Sequence, residues 1–154
     1  MTRNQFSITV EIPAPPPLVW SVLADLERWP EWTVSVSRVE RLSPGPLRVG
    51  SRVRIYQPKL PPASWRVTEM NPGVGFIWVS RAPLMLVTAR HTTEASVIGT
   101  RVTLSVHYGG WLGALFARWT CRLNERYLDW EANGLKARCT ELVATPNLEH
   151  YETH

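Results

Sequence analysis

The chain opens on a strict alternation of apolar and polar positions. In FSITVEI (6–12), Phe6, Ile8, Val10 and Ile12 fall on one face and Ser7, Thr9 and Glu11 on the other. That is the pattern of a half-buried β-strand. The prolines of PAPPP (13–17) end it, and LVWSVLADL (18–26) reads as a helix with Val19, Val22, Leu23 and Leu26 on a common face; proline is tolerated in a first helical turn. Pro30 then interrupts the run, so Trp29 and Trp32 of ERWPEW (27–32) belong to a short second helix or turn.

Six further stretches carry strand patterning: 34–42, 51–57, 64–70, 75–81, 84–97 and 100–108. The links between them (SPGP, PKLPP, NPG, AP and IG) supply turn residues. After Gly109-Gly110, residues 111 to about 143 contain no proline and predict one long helix. The order is a strand, two short helices, six strands and a long helix. Sequential hairpins of this kind imply an α+β fold, an antiparallel sheet with its helices on one side. No repeat or linker divides the chain, so residues 1–145 form one expected domain and 146–154 a polar tail.

Hairpin geometry predicts which side chains look inward. A two-residue turn at Ile98-Gly99 places Val97 opposite Thr100, Thr93 opposite Leu104, His91 opposite Val106 and Ala89 opposite Tyr108. The apolar alternation Val102, Leu104, Val106 marks the core face, which takes in His91 and Tyr108. A turn at Ala82-Pro83 adds Phe76 and Trp78; a four-residue turn over 71–74 adds Trp65, Val67 and Glu69; a link over 58–62 adds Val53, Ile55 and Gln57. A slip of one residue would reverse any of these strands. In the long helix, Leu112, Leu115, Phe116, Trp119 and Leu123 form one stripe, while Leu128, Leu135, Cys139 and Leu142 form another on roughly the opposite side. Such a helix is expected to cross a concave sheet, one half sealing the core and the other roofing an opening.

Composition narrows the function classes. The 154 residues are 44% hydrophobic and 19% charged, which suits a globular chain with a sizeable single core. The net charge is +4, but fifteen of the seventeen basic residues are arginines scattered along the chain, often beside acids. There is no basic stripe and no stacking motif, which argues against a nucleic-acid binder. No transmembrane run occurs and the first residues lack a secretory apolar segment, so a cytoplasmic location is expected. Cys121 and Cys139 stand eighteen residues apart in one predicted helix, about 27 Å at 1.5 Å per residue, too far for a disulfide. Both read as buried, inert thiols. No metal motif and no cofactor are expected.

Several segments together resemble the START-like, helix-grip superfamily, and within it the polyketide cyclase/dehydrase and lipid-transport proteins. They are VWSVLADLERWPEW (19–32), WRVTEMNPG (65–73), GTRVTLSVHYGG (99–110) and NGLKARCTE (133–141). The resemblance spans nearly the whole chain and rests on the order and spacing of these segments. It implies a seven-stranded sheet gripping a C-terminal helix over an apolar cavity that binds lipids, polyketides or other hydrophobic molecules. In a minority of such proteins it implies cyclisation, aromatisation or dehydration. It carries no family-wide catalytic motif.

On this reading a small hydrophobic molecule is the expected partner, in a cavity of about 300–1,000 Å³. Trp29 and Trp32 act either as a plug closing one end or as a gate touching ligand; Trp32 resembles the family's recurrent, structural tryptophan. Trp65, Trp78 and Trp119 line the cavity or fill the core, with Phe76 beside them, and Gln57, His91 and Tyr108 orient a polar end. His91 is the candidate general base of a cyclase-type enzyme. Its alternative is a structural histidine satisfied by a backbone carbonyl or by Tyr108. Arg126 either reaches a ligand carboxylate or a buried glutamate or, as is commoner, snorkels to the surface, and Arg54 faces outward. A cavity-poor protein that binds a partner through its surface is the third reading.

Overall fold

The computed structural model describes residues 4–145, so the polar tail at 146–154 lies outside the described residues. The chain runs β1 (Gln5–Ile12), α1 (Pro16–Ala24), a 3-10 turn (Leu26–Arg28), α2 (Trp29–Trp32), β2 (Arg38–Arg41), β3 (Arg52–Tyr56), β4 (Ala63–Asn71), β5 (Gly75–Ala82), β6 (Met85–Ala95), β7 (Thr100–Gly109), α3 (Trp111–Trp119) and α4 (Cys121–Ala144). The strands form one seven-stranded antiparallel sheet in the order β1-β7-β6-β5-β4-β3-β2. Its concave face receives α4, which packs on β1 and β7 with α1 and α2 alongside. This is the expected α+β helix-grip architecture. Among the described residues no helix is long and apolar enough to cross a membrane.

Local chemistry explains the short helices. Pro16 and Pro17 occupy the first turn of α1, whose Val19 and Leu23 are fully buried. WPEW forms a single turn starting from Trp29, with proline in its first turn. Gly134 on α4 lets that turn come close, because a Cβ there would collide with the carbonyl oxygen of Trp32. Gly134→Ala is therefore expected to cost roughly 1–3 kcal/mol by overpacking, read as a fall of several degrees in Tm.

Three details depart from the expected pattern. The β6–β7 loop has four residues, 96–99, so Ala95 pairs with Thr100 and His91 with Leu104; Val97 and Ile98 are exposed loop residues. The β5–β6 turn sits at Pro83-Leu84, pairing Phe76 with His91 and Trp78 with Ala89. Both slips are of two residues, so every facing survives. Leu84 adopts a left-handed backbone, φ 59°, a conformation that costs a non-glycine residue about 1–2 kcal/mol. In the third, a bulge between Val67 and Glu69 breaks the β4–β5 register, turning Met70 inward beside Phe76 and Glu69 out to solvent. Glu69 thus leaves the face assigned to it.

The long helix is two helices. Thr120 separates α3 from α4 with non-helical backbone (φ −103°, ψ 15°), and its hydroxyl donates to the Phe116 carbonyl at 2.8 Å. Such back-bonding by threonine competes with the helical ladder. The strand expected at 34–42 shrinks to Arg38–Arg41, because Thr33 and Ser35 bond to each other at 2.7 Å and hold an irregular segment there. Cys139 is fully buried, whereas Cys121 is partly exposed and so is not the buried thiol expected. Burial pushes the Cys139 thiol up to about 11. A thiol-specific reagent at neutral pH should modify Cys121 first and Cys139 only on unfolding; fast labelling of both in the folded protein would contradict this packing.

Candidate functional site

Between the sheet and α4 lies a small cavity of about 90 Å³. Its walls come from four directions. β5 and β4 bring Trp78 and Trp65; β6 and β7 bring Ala89, His91, Leu104, Val106 and Tyr108; α2 brings Trp29; α4 brings Asn124, Tyr127, Leu128 and Glu131. Gln57, just beyond β3, and Ile55 complete one end. Of the residues expected to line it, Trp29, Gln57, Trp65, Trp78, His91 and Tyr108 do so.

Phe76 and Trp119 do not. Phe76 stands behind the wall, its ring stacked on the His91 imidazole at 4.4 Å and 12°, and holds that ring in plane. Trp119 is 85% exposed on the outer surface of α3. α3 turns its small residues Gly113 and Ala117 inward and leaves Trp111, Leu115 and Trp119 on the opposite face, so the placement of Trp119 in the cavity is corrected.

The aromatic wall is continuous. Trp78 lies 5.4 Å from Trp65, 5.6 Å from Trp29 and 5.4 Å edge-on from His91, measured between ring centroids. Trp29 in turn touches Trp32 at 5.6 Å. The two tryptophans of the WPEW turn thereby divide the work. Trp29 is buried, donates its indole N–H to the Leu23 carbonyl at 3.0 Å and faces the cavity. Trp32 is buried in the core, with its backbone carbonyl against Gly134 of α4.

Beside the indoles the cavity carries polar groups. His91, 5% exposed, places Nε2 3.5 Å from Oε1 of Glu131. The pair falls outside hydrogen-bond geometry, and Oε1 has no hydrogen-bond partner among the described residues. Neither a backbone carbonyl nor Tyr108 satisfies His91, as the sequence reading had offered; its Nδ1 is likewise without a protein partner. Tyr108 instead donates to Oδ1 of Asn124 at 2.7 Å, and Asn124 donates to the Thr120 hydroxyl at 2.9 Å. Burial raises the Tyr108 pKa against the lowering effect of those bonds, so the phenol remains a donor. The Tyr127 hydroxyl is buried with no protein partner, and burial raises its pKa too. Arg126 reaches no buried carboxylate; its guanidinium lies over the Trp130 ring at 5.8 Å. Arg54 is exposed, as expected.

Asn124, Tyr127 and Glu131 escaped the sequence reading. Their signal was present: they recur at helical spacing on the same face as Leu128 and Leu135, polar residues on a stripe that must be buried. A buried helical face carrying an amide, a phenol and a carboxylate is costly unless something pairs with them.

Comparison with known proteins follows the geometry. Residues 3–140 match the family described as polyketide cyclase / dehydrase and lipid transport. No curated protein matches the chain in sequence. Among solved structures, the Zhui aromatase/cyclase from Streptomyces sp. R1128 superposes with a TM-score of 0.74 at 19% identity, over 91% of this chain and 95% of that one. The di-domain aromatase/cyclase StfQ of the steffimycin biosynthetic pathway gives 0.71 at 14% identity, over 92% of this chain; the chain spans 52% of it, about half the length of that protein. TTHA0849 from Thermus thermophilus gives 0.71 at 19%, over 90% of this chain and 98% of that one. At these identities the likeness is one of fold.

Proposed function

The chain belongs to the polyketide cyclase/dehydrase and lipid-transport family, and from that premise we propose that its cavity binds one small, largely apolar molecule carrying a polar group. One observation carries the reading: buried polar atoms of His91, Tyr127 and Glu131 without protein partners surround a space walled by Trp29, Trp65 and Trp78. Indole faces supply area and stacking for a flat ligand. The His91–Glu131 side supplies the hydrogen bonds that fix its orientation, the usual division of labour in a ligand pocket.

The volume bears on what fits. The 90 Å³ cavity is smaller than the sequence reading expected, and smaller than the roughly 150 Å³ that holds a benzene ring. Uptake of a phenol-sized or naphthol-sized molecule therefore displaces wall side chains, and a polycyclic chain displaces more. Titration with phenol, 2-naphthol and a short fatty acid, followed by intrinsic fluorescence, is expected to show saturable change with the flat hydroxylated aromatics first. No saturable response to any of them would overturn the reading.

The His91–Glu131 pair favours a second reading, a cyclase or dehydratase in which His91 moves a proton. Its imidazole would take the proton from an acidic carbon of a bound polyketide, with Glu131 beside it, and the indole walls would hold the chain folded and dry. Glu131 acts in this through His91 and is a positioning residue.

A further inference from the structure

The exposed aromatic residues of α3 are unaccounted for by the cavity. Trp111 is 76% exposed and Trp119 85%, with Leu115 half-exposed between them. They recur every four residues and so share one face of the helix. Arg118 projects from that same face by the 100° count. The tip of the β5–β6 hairpin adjoins it, because the Leu84 carbonyl accepts the Leu112 N–H at 3.0 Å. Leu84 is itself 65% exposed. Two indoles and Leu115 thus share one exposed apolar face, with the exposed Leu84 at the N-terminal end of the same helix.

We propose that this patch is a docking surface for an anionic lipid bilayer. Charge is the first argument. Residues 70–124 contain five arginines and a single carboxylate, Glu94. Glu94 is engaged by Arg101 near the β6–β7 loop, at the far end of β6 from Leu84. Arg81 and Arg118 are exposed, and neither α3 nor the hairpin tip has an acid to neutralise them. The complementary partner is anionic, and two copies of so cationic a face repel each other. Size is the second argument. Two indoles present on the order of 300–400 Å², well below the roughly 800 Å² per partner of a stable protein complex. Shallow insertion into the headgroup region needs no more, and tryptophan flanked by arginine suits that depth. The inner face of α3 carries Phe116, whose ring meets Tyr108 at 5.7 Å, so docking would set the Tyr108 end of the cavity against the lipid. The proposal does not depend on the ligand reading above.

Sedimentation of the full chain with vesicles tests it, using phosphatidylcholine alone and phosphatidylcholine mixed with phosphatidylglycerol. The expected result is binding to the mixed vesicles that falls about tenfold or more in a Trp111→Ser/Trp119→Ser variant and more than about fivefold in Arg118→Glu. Arg118→Glu changes one exposed residue, so it carries the test if the double variant fails to fold. Three results would overturn the proposal: no binding to the mixed vesicles, equal binding to both kinds, or binding unchanged in the variants. A concentration-dependent dimer in the absence of lipid that the double variant abolishes would assign the patch to a second copy and overturn it too.

Discussion

Trp29→Ala is expected to remove about 3–5 kcal/mol of stability, against a typical total of about 5–15 kcal/mol for a domain. The indole is 2% exposed and touches Trp32, Trp78 and His91 at 5.6 Å each. Its loss removes three ring contacts at once and leaves the Leu23 carbonyl without its 3.0 Å donor. Few neighbours can move into the gap, since Trp32 is held against α4 and Trp78 is wedged among Trp65, Phe76 and His91. The space joins the existing cavity, so the variant should also take up small aromatics more readily than the parent. Denaturant unfolding followed by circular dichroism reads the first effect. Trp111→Ala, on the exposed face of α3, is the control and should stay within about 0.5 kcal/mol of the parent. A loss below about 1 kcal/mol for Trp29→Ala would show that the turn is peripheral to the core.

The second large effect concerns chemistry. Under the enzymatic reading, His91→Gln lowers turnover of a cyclising polyketide substrate by about 10²–10⁴-fold, the usual worth of a positioned general base. Affinity should change only a few-fold, since the indole walls remain and glutamine keeps a polar group near Glu131. Glu131→Gln should preserve affinity similarly and lower any turnover less than His91→Gln does, because the carboxylate acts only through the imidazole 3.5 Å away. Equal losses in affinity and turnover would make His91 a binding group. An unchanged rate would remove the proton-transfer reading altogether.

The inward face of the sheet was legible because alternation has a period of two. Both misplaced turns shifted register by two residues, and Trp78, His91 and Tyr108 kept their facing. Glu69 was lost because the bulge beside it inserts one unpaired residue, and nothing in VTEM signals a bulge. The helical side was harder to read. A threonine in an otherwise uninterrupted helical pattern gave no warning of the break at Thr120. The large apolar residues of α3 point to the wrong inner face, since Gly113 and Ala117 are the buried ones, and this put Trp119 inward. A continuous count also hid the polar face of α4, where Asn124, Tyr127 and Glu131 complete the cavity. Cavity volume was beyond the sequence for another reason. It is the small difference between backbone spacing and the bulk of the side chains that line it, Trp29, Trp65 and Trp78 above all, and pattern reports direction rather than fit.

Because the eight indoles of the chain each carry one N–H, a two-dimensional ¹H–¹⁵N spectrum resolves the site residue by residue. Titrating the ¹⁵N-labelled protein with 2-naphthol and following the indole signals tests the binding claim most directly. Saturable shifts at Trp29, Trp65 and Trp78, with Trp111, Trp119 and Trp130 still, are the predicted result. Shifts confined to the exposed indoles, or none at any concentration, would contradict a ligand site between the sheet and α4.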